Sequence, residues 1–271
     1  MGVLNALKSG FSIAAKSLKL WGVLVVINVI LFILAIIAMV AIMGPTMANN
    51  ANAATPPQPT GSQIISMMIV VIIGVIIQLF INAGIVGSLR DMVKTGSAKL
   101  GDFLKSANKY FVRFTLFSLL MFAVVIVFGI LAAVLIGLIA SLAKGAAIVS
   151  TMLGIILGIV GLIGLIILGL YGSLVPVIIV SDESKVFGSI SNAAKLLKKK
   201  FWVTLGLALI YWVMFLLLAF LNYIANLGGV AAVSIVSQIG VSLVNIFLSL
   251  AFIGSFIKYY LAGTGVAQQK I

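Results

Sequence analysis

Six stretches of this chain, at about 20–43, 64–89, 114–142, 146–180, 202–224 and 231–257, are apolar almost without interruption. About 20 residues of helix, each rising 1.5 Å, cross the roughly 30 Å hydrocarbon core of a bilayer. In lipid every backbone N–H and C=O must be bonded inside its own segment, which leaves the helix as the form such runs can take. The expected fold is therefore all-α, a polytopic membrane helix bundle with six transmembrane helices. Composition agrees, since 63% of the 271 residues are apolar and only 8% are charged, against about 25% charged in soluble domains. The fourth stretch is long enough to imply tilt or an end lying outside the core.

Lys8, Lys16 and Lys19 precede the first run and give it the look of a secretory signal. The run exceeds the 7–15 apolar residues of a signal peptide, so it reads as a retained signal-anchor, although Ala51–Asn52–Ala53–Ala54 resembles a cleavage site. Gly2 does not make a myristoylation signal, because Ala6 stands where Ser or Thr is required. Cysteine and histidine are both absent, which excludes disulfides, thiolate chemistry and imidazole bases. No cofactor or metal is expected.

Cytoplasmic loops retain Lys and Arg during insertion. All 17 basic residues except Lys144 fall before the first span, between the second and third, between the fourth and fifth, or after the sixth. Asp91, Asp102, Asp182 and Glu183, the four acids, share that side. Both termini are thus expected in the cytoplasm, and the protein in the plasma membrane of a prokaryote. The loop around Asn50, uncharged and rich in Pro, Asn, Thr and Ala, reads as an outward connector. A net charge of +13 does not imply nucleic acid, since its basic residues are divided among segments with no base-reading element.

The cytoplasmic segments repeat. Spans two, four and six end in Gly87–Ser88–Leu89, Gly172–Ser173–Leu174 and Gly254–Ser255–Phe256, and SIAAKSLKLW, LKSANKYFVRF and SNAAKLLKKKFW precede the odd-numbered spans. Three hairpin units are expected within one membrane domain, at about 1–95, 96–181 and 182–271. Each leading segment has helical period. Leu4, Leu7, Phe11, Ala14, Ala15 and Leu18 form the first apolar stripe; Leu100, Phe103, Leu104, Ala107, Phe111 and Phe114 the second; Val186, Phe187, Ile190, Ala193, Ala194 and Leu197 the third. Such helices are expected to lie in the bilayer interface. Their candidate lipid-headgroup contacts are Lys105, Lys109, Arg113, Lys195, Lys198, Lys199 and Lys200.

Val175–Pro176–Val177–Ile178–Ile179–Val180, the acids Asp182 and Glu183, and the segment from Ser189 to Trp202 resemble the pattern of a six-span prokaryotic membrane protein family. That family includes the membrane domain attached to some glycerophosphodiester phosphodiesterases. The acids and histidines of the phosphodiesterase domain have no counterpart here, so the resemblance implies a fold and a location without an activity.

Asp182 and Glu183, the adjacent acids, could serve a cation or acid/base chemistry. No other acid is close in sequence to complete a metal shell. The sequence places them instead at the N-terminal end of the third surface helix, where negative charge meets the dipole favourably. Asn28, Gln78, Asn82, Asn222, Gln238 and Asn245 either pack by hydrogen bonds or line a path. Gly154, Gly158, Gly161, Gly164, Gly169 and Gly172 are small positions expected to let helices approach closely, within the bundle sooner than between two copies, and if the face of Gly154 and Gly158 is the packed one, a large residue at Gly158 should disrupt more than one at Gly164. Pro176 is expected to bend the fourth span. Together these features suggest a non-enzymatic membrane protein that organises lipid or serves as an accessory subunit, with membrane lipids, anionic headgroups and a membrane-protein partner or second copy as its contacts. A transporter or permease component for a small or lipophilic solute is the alternative.

Overall fold

A computed structural model describes residues 1–49, 59–97, 100–143, 147–227 and 231–264. Seven helices account for nearly all of them: α1 (Val3–Lys16), α2 (Leu18–Asn49), α3 (Gly61–Thr95), α4 (Leu100–Ala143), α5 (Ala147–Ser181), α6 (Val186–Leu227) and α7 (Ala231–Thr264). The six from α2 to α7 each contain an apolar stretch long enough to cross a bilayer. The shortest, Leu18–Gly44, has 27 residues, about 40 Å of helix. The protein is an all-α integral membrane protein.

Local chemistry sets the helix ends. α1 stops at Ser17, whose N–H bonds the Ile13 and Ala14 carbonyls while its hydroxyl also donates to Ala14 O at 2.9 Å. Thr60 and Gln63 form a reciprocal capping box at the start of α3, and Gly96 closes that helix with φ +79°, a conformation open to glycine at little cost. α6 breaks at Lys200, where φ −140° and ψ 35° leave the helical region. The segment before the break corresponds to the third expected surface helix. α4, in contrast, runs unbroken from Leu100 to Ala143, so the second amphipathic segment is the first part of a membrane span.

Burial is concentrated at one end. There α1 joins the last turns of α3, α5 and α7 and the first turns of α4 and α6, around Leu89, Tyr110, Leu174, Ile178, Leu207, Tyr211, Phe256 and Tyr259. The remaining lengths of the spans, such as those holding Ile33, Ile72, Val127 and Ile159, present apolar side chains outward. Lipid tails are as apolar as these side chains, so little drives that surface to bury itself. Among the described residues, the basic and acidic side chains gather at the packed end, the basic end of the molecule.

The amphipathic segments turn much of their apolar stripes into this packed end. Ala14, Ala107 and Ala193, each two residues before a lysine, have no exposed surface. α1 packs chiefly on α7, and the start of α4 on the end of α3. Gly10 lies so close to Ser255 and Ala251, and Gly87 to Ser106, that neither position has room for a methyl group. The stripe members Leu4, Leu18, Leu104 and Phe187 are left on the outside.

The expected glycine face of α5 is corrected. A Cβ at Gly154, Gly158, Gly161 or Gly172 would meet nothing within 4 Å. The close approaches on α5 are at Gly164, where a Cβ would fall 2.9 Å from the Phe128 ring, and at Gly169, 2.8 Å from Trp212. Large aromatic rings from neighbouring helices fill these two positions, so glycine serves here as a socket for a ring. Pro176 lies within α5; its missing N–H leaves the carbonyl of Gly172, four residues earlier, without its helical donor.

Candidate functional site

The loop 182–185 joins α5 to α6 at the basic end, and cationic side chains of two other helices, α3 and α4, converge on it. Glu183 Oε1 accepts from Arg90 Nη2 at 3.0 Å and from the Tyr110 hydroxyl at 3.4 Å, while Lys109 Nζ lies 2.9 Å from Oε2. Arg113 Nη1 donates to the main-chain oxygens of Glu183 at 2.7 Å and Ser184 at 3.2 Å. Lys109 Nζ also lies 5.2 Å from the centre of the Tyr110 ring, within cation–π range. Hydrogen bonding from Lys109 and Arg90 lowers the Glu183 carboxyl to a pKa of about 2 from its ordinary 4.5. It therefore stays ionised throughout the physiological range.

Asp182 faces a different set of groups. Its Oδ2 accepts from the Tyr260 hydroxyl on α7 and from Asn192 Nδ2 at 3.1 Å on α6. The two acids thus tie the α5–α6 loop to α3 and α4 on one side and to α6 and α7 on the other. Both acids lie just before α6, at the N-terminal end of the third surface helix as expected, and their carboxylates are also engaged by side chains of α3, α4, α6 and α7. No group of acids arranged to hold a metal ion occurs among the described residues.

The seven candidate headgroup contacts divide into two sets. Lys105, Lys195, Lys198 and Lys199 are exposed. Lys109 and Arg113 are engaged with the loop, and Lys200 is half-buried at the α6 break, its Nζ 5.9 Å from the Tyr259 ring centre. Tyr259 also donates to the Lys200 carbonyl at 3.4 Å, while Thr204 Oγ1 donates to the same oxygen at 3.0 Å. Lys200 shapes the break as well as carrying charge.

A second polar link lies deeper, where the Tyr211 and Ser255 hydroxyls are 2.9 Å apart and fully buried. Ser255 belongs to the third Gly–Ser pair, whose neighbour Gly254 receives the side chain of Ile13. Within the spans, Asn28 Nδ2 bonds the Leu24 carbonyl at 2.8 Å, and Gln78 Nε2 donates to Asn82 at 3.3 Å. These amides satisfy themselves along their own helices. Sequence reasoning overlooked Arg90, Tyr110 and Tyr260 as partners of the acids. The signal was present in the charge balance, since two adjacent acids in a chain this basic attract cations, but nothing local named which ones.

No known family model, curated protein or solved structure matches this chain.

Proposed function

We propose that this is a non-enzymatic integral membrane protein which binds anionic lipid at its basic end, in the plasma membrane of a prokaryote with that end in the cytoplasm. It organises lipid or supports a membrane complex as an accessory subunit. The observation that carries the reading is the division of the molecule. One end is closed by packing and ion pairs and edged by exposed lysines, while the rest of each span offers unpaired apolar surface to lipid or to a neighbouring protein. The absence of Cys and His from the chain supports a role without covalent or acid–base chemistry.

Transport is less well supported, because the Asn28, Gln78 and Asn82 amides are taken up by bonds along their own helices. Lys195, Lys198 and Lys199 stand on the exposed face before the α6 break, and each basic side chain near an anionic leaflet contributes about 1 kcal/mol. The triple glutamine variant at these positions should lose bound phosphatidylglycerol or cardiolipin in native mass spectrometry at fixed ionic strength. Unchanged retention would remove the lipid-binding reading and leave those lysines a topological role.

A further inference from the structure

Three tryptophans occur in the chain, and two of them are used inside the protein. Trp21 donates its indole N–H to the Leu243 carbonyl at 3.2 Å, and the Trp212 ring fills the space left by Gly169. Trp202 is different. It is 79% exposed, two residues after the break in α6 at Lys200, and the ring beside it is that of its neighbour Phe201, edge-on at 5.4 Å. Among the tyrosines, Tyr110, Tyr211, Tyr259 and Tyr260 are buried, whereas Tyr223, near the far end of α6, is 63% exposed.

These two outward side chains lie on one stripe. From Trp202 it runs through Leu209, Val213, Leu216, Phe220 and Tyr223, at steps of seven, four, three, four and three, which keep to one helix face. All six side chains are exposed. No charged residue occurs between Lys200 and the end of the helix at Leu227. The middle of the stripe is purely apolar, and each end carries an aromatic ring with a polar group, an indole N–H or a phenol. Tyr223 follows Trp202 by 21 residues, about 32 Å along a helix axis. A tilt of about 20°, average for membrane helices, reduces that to a rise of about 30 Å. The hydrocarbon core of a bilayer has that thickness.

We infer that α6 sets the depth of this protein in the membrane, with Trp202 held in the interfacial layer of one leaflet and Tyr223 in that of the other. The partner is the glycerol and headgroup region of phospholipid. There an indole or a phenol lays its ring against the acyl chains and turns its donor to ester oxygens or water. Leu209, Val213, Leu216 and Phe220 lie between, in hydrocarbon. Lys198 and Lys199, exposed and just ahead of the break, come to headgroup level beside Trp202, so cations on one side and apolar side chains on the other fix its place. A protein partner would have no reason to need amphipathic rings spaced by the thickness of a bilayer. The inference goes beyond the anionic-lipid reading and does not depend on it, because interfacial anchoring acts in neutral bilayers too.

The test is tryptophan fluorescence of the full chain in phosphatidylcholine bilayers that contain lipid brominated near either the glycerol end or the methyl end of its acyl chains. Bromine quenches tryptophan on contact, and the difference between the parent and Trp202→Phe isolates the emission of Trp202. The substitution replaces an exposed ring and leaves the core untouched. That emission should lose more intensity to the glycerol-end bromine than to the methyl-end bromine. Tyr223→Trp, made in the Trp202→Phe chain, should restore emission with the same preference. Equal or stronger quenching by the methyl-end lipid at either position would put that residue within the hydrocarbon and overturn the depth assignment. No quenching by either lipid would mean that a second copy, another protein or water covers the stripe, and would overturn it as well. Because these lipids are neutral, neither failure touches the anionic-lipid reading, which the triple glutamine variant tests separately.

Discussion

Arg113 donates through Nη1 to the main-chain oxygen of Glu183 at 2.7 Å, and Glu183 is the one non-glycine residue among those described with a positive φ, +54°. Left-handed backbone costs an L-residue roughly 1–2 kcal/mol, so this bond holds a strained turn in place. Glu183→Gly and Glu183→Ala remove the same ion pairs, but only glycine relieves the strain. Glycine should therefore be the more stable of the two by about 1 kcal/mol in thermal unfolding in detergent, the reverse of their usual order.

The depressed Glu183 pKa of about 2, against an ordinary 4.5, fixes a pH dependence. The folded state holds the carboxylate more strongly than the unfolded chain does, so the unfolded state binds more protons as acid is added. This contribution is fully present above about pH 5 and is lost progressively as pH falls through 4.5 toward 2. Melting temperature should drop over that window in the parent and drop less in Glu183→Gln. Equal acid slopes would show that the carboxylate is not held by Lys109 and Arg90.

Two glycines separate real helix contacts from open positions. Gly10 has no room for a methyl beside Ser255 and the Ala251 carbonyl, whereas a Cβ at Gly158 meets nothing. Gly10→Ala should cost about 1–3 kcal/mol by overpacking against a backbone atom that cannot move aside. Gly158→Ala should be neutral or slightly stabilising, because alanine is the better helix former. Resistance to unfolding in a graded detergent series would rank them.

The buried Tyr211 and Ser255 hydroxyls, 2.9 Å apart, are satisfied by one another. Tyr211→Phe leaves Ser255 without that partner and should cost about 1–3 kcal/mol. The double variant with Ser255→Ala should recover part of the loss, which a double-mutant cycle measures. Additive losses would mean that the two hydroxyls do not depend on each other.

Span number and the gathering of charge could be read from the chain because both are one-dimensional signals: apolar length, and the placement of Lys and Arg. The stripes around Ala14, Ala107 and Ala193 were visible for the same reason, since period shows that a helix has an apolar face. Period does not say what covers the face. Protein covers these, because Gly10 and Gly87 let the amphipathic segments seat on α7 and α3. α5 shows the limit from the other side: with glycines throughout an apolar run, spacing could not tell Gly158, which faces open space, from Gly164, which receives Phe128. The roles of Asp182 and Glu183 were hidden because Arg90 lies 93 positions from Glu183, and Tyr260 lies 78 from Asp182.

The central claim is that the basic end, with its ion pairs and exposed lysines, faces the cytoplasm. The parent has no cysteine, so single cysteines report sidedness without background. Pro59 and Ser97 are both exposed, just before α3 and just after it. A membrane-impermeant thiol reagent applied to intact cells should label Pro59→Cys, and should label Ser97→Cys and Lys195→Cys only after the membrane is permeabilised. Labelling of Ser97→Cys in intact cells, with Pro59→Cys protected, would contradict the account.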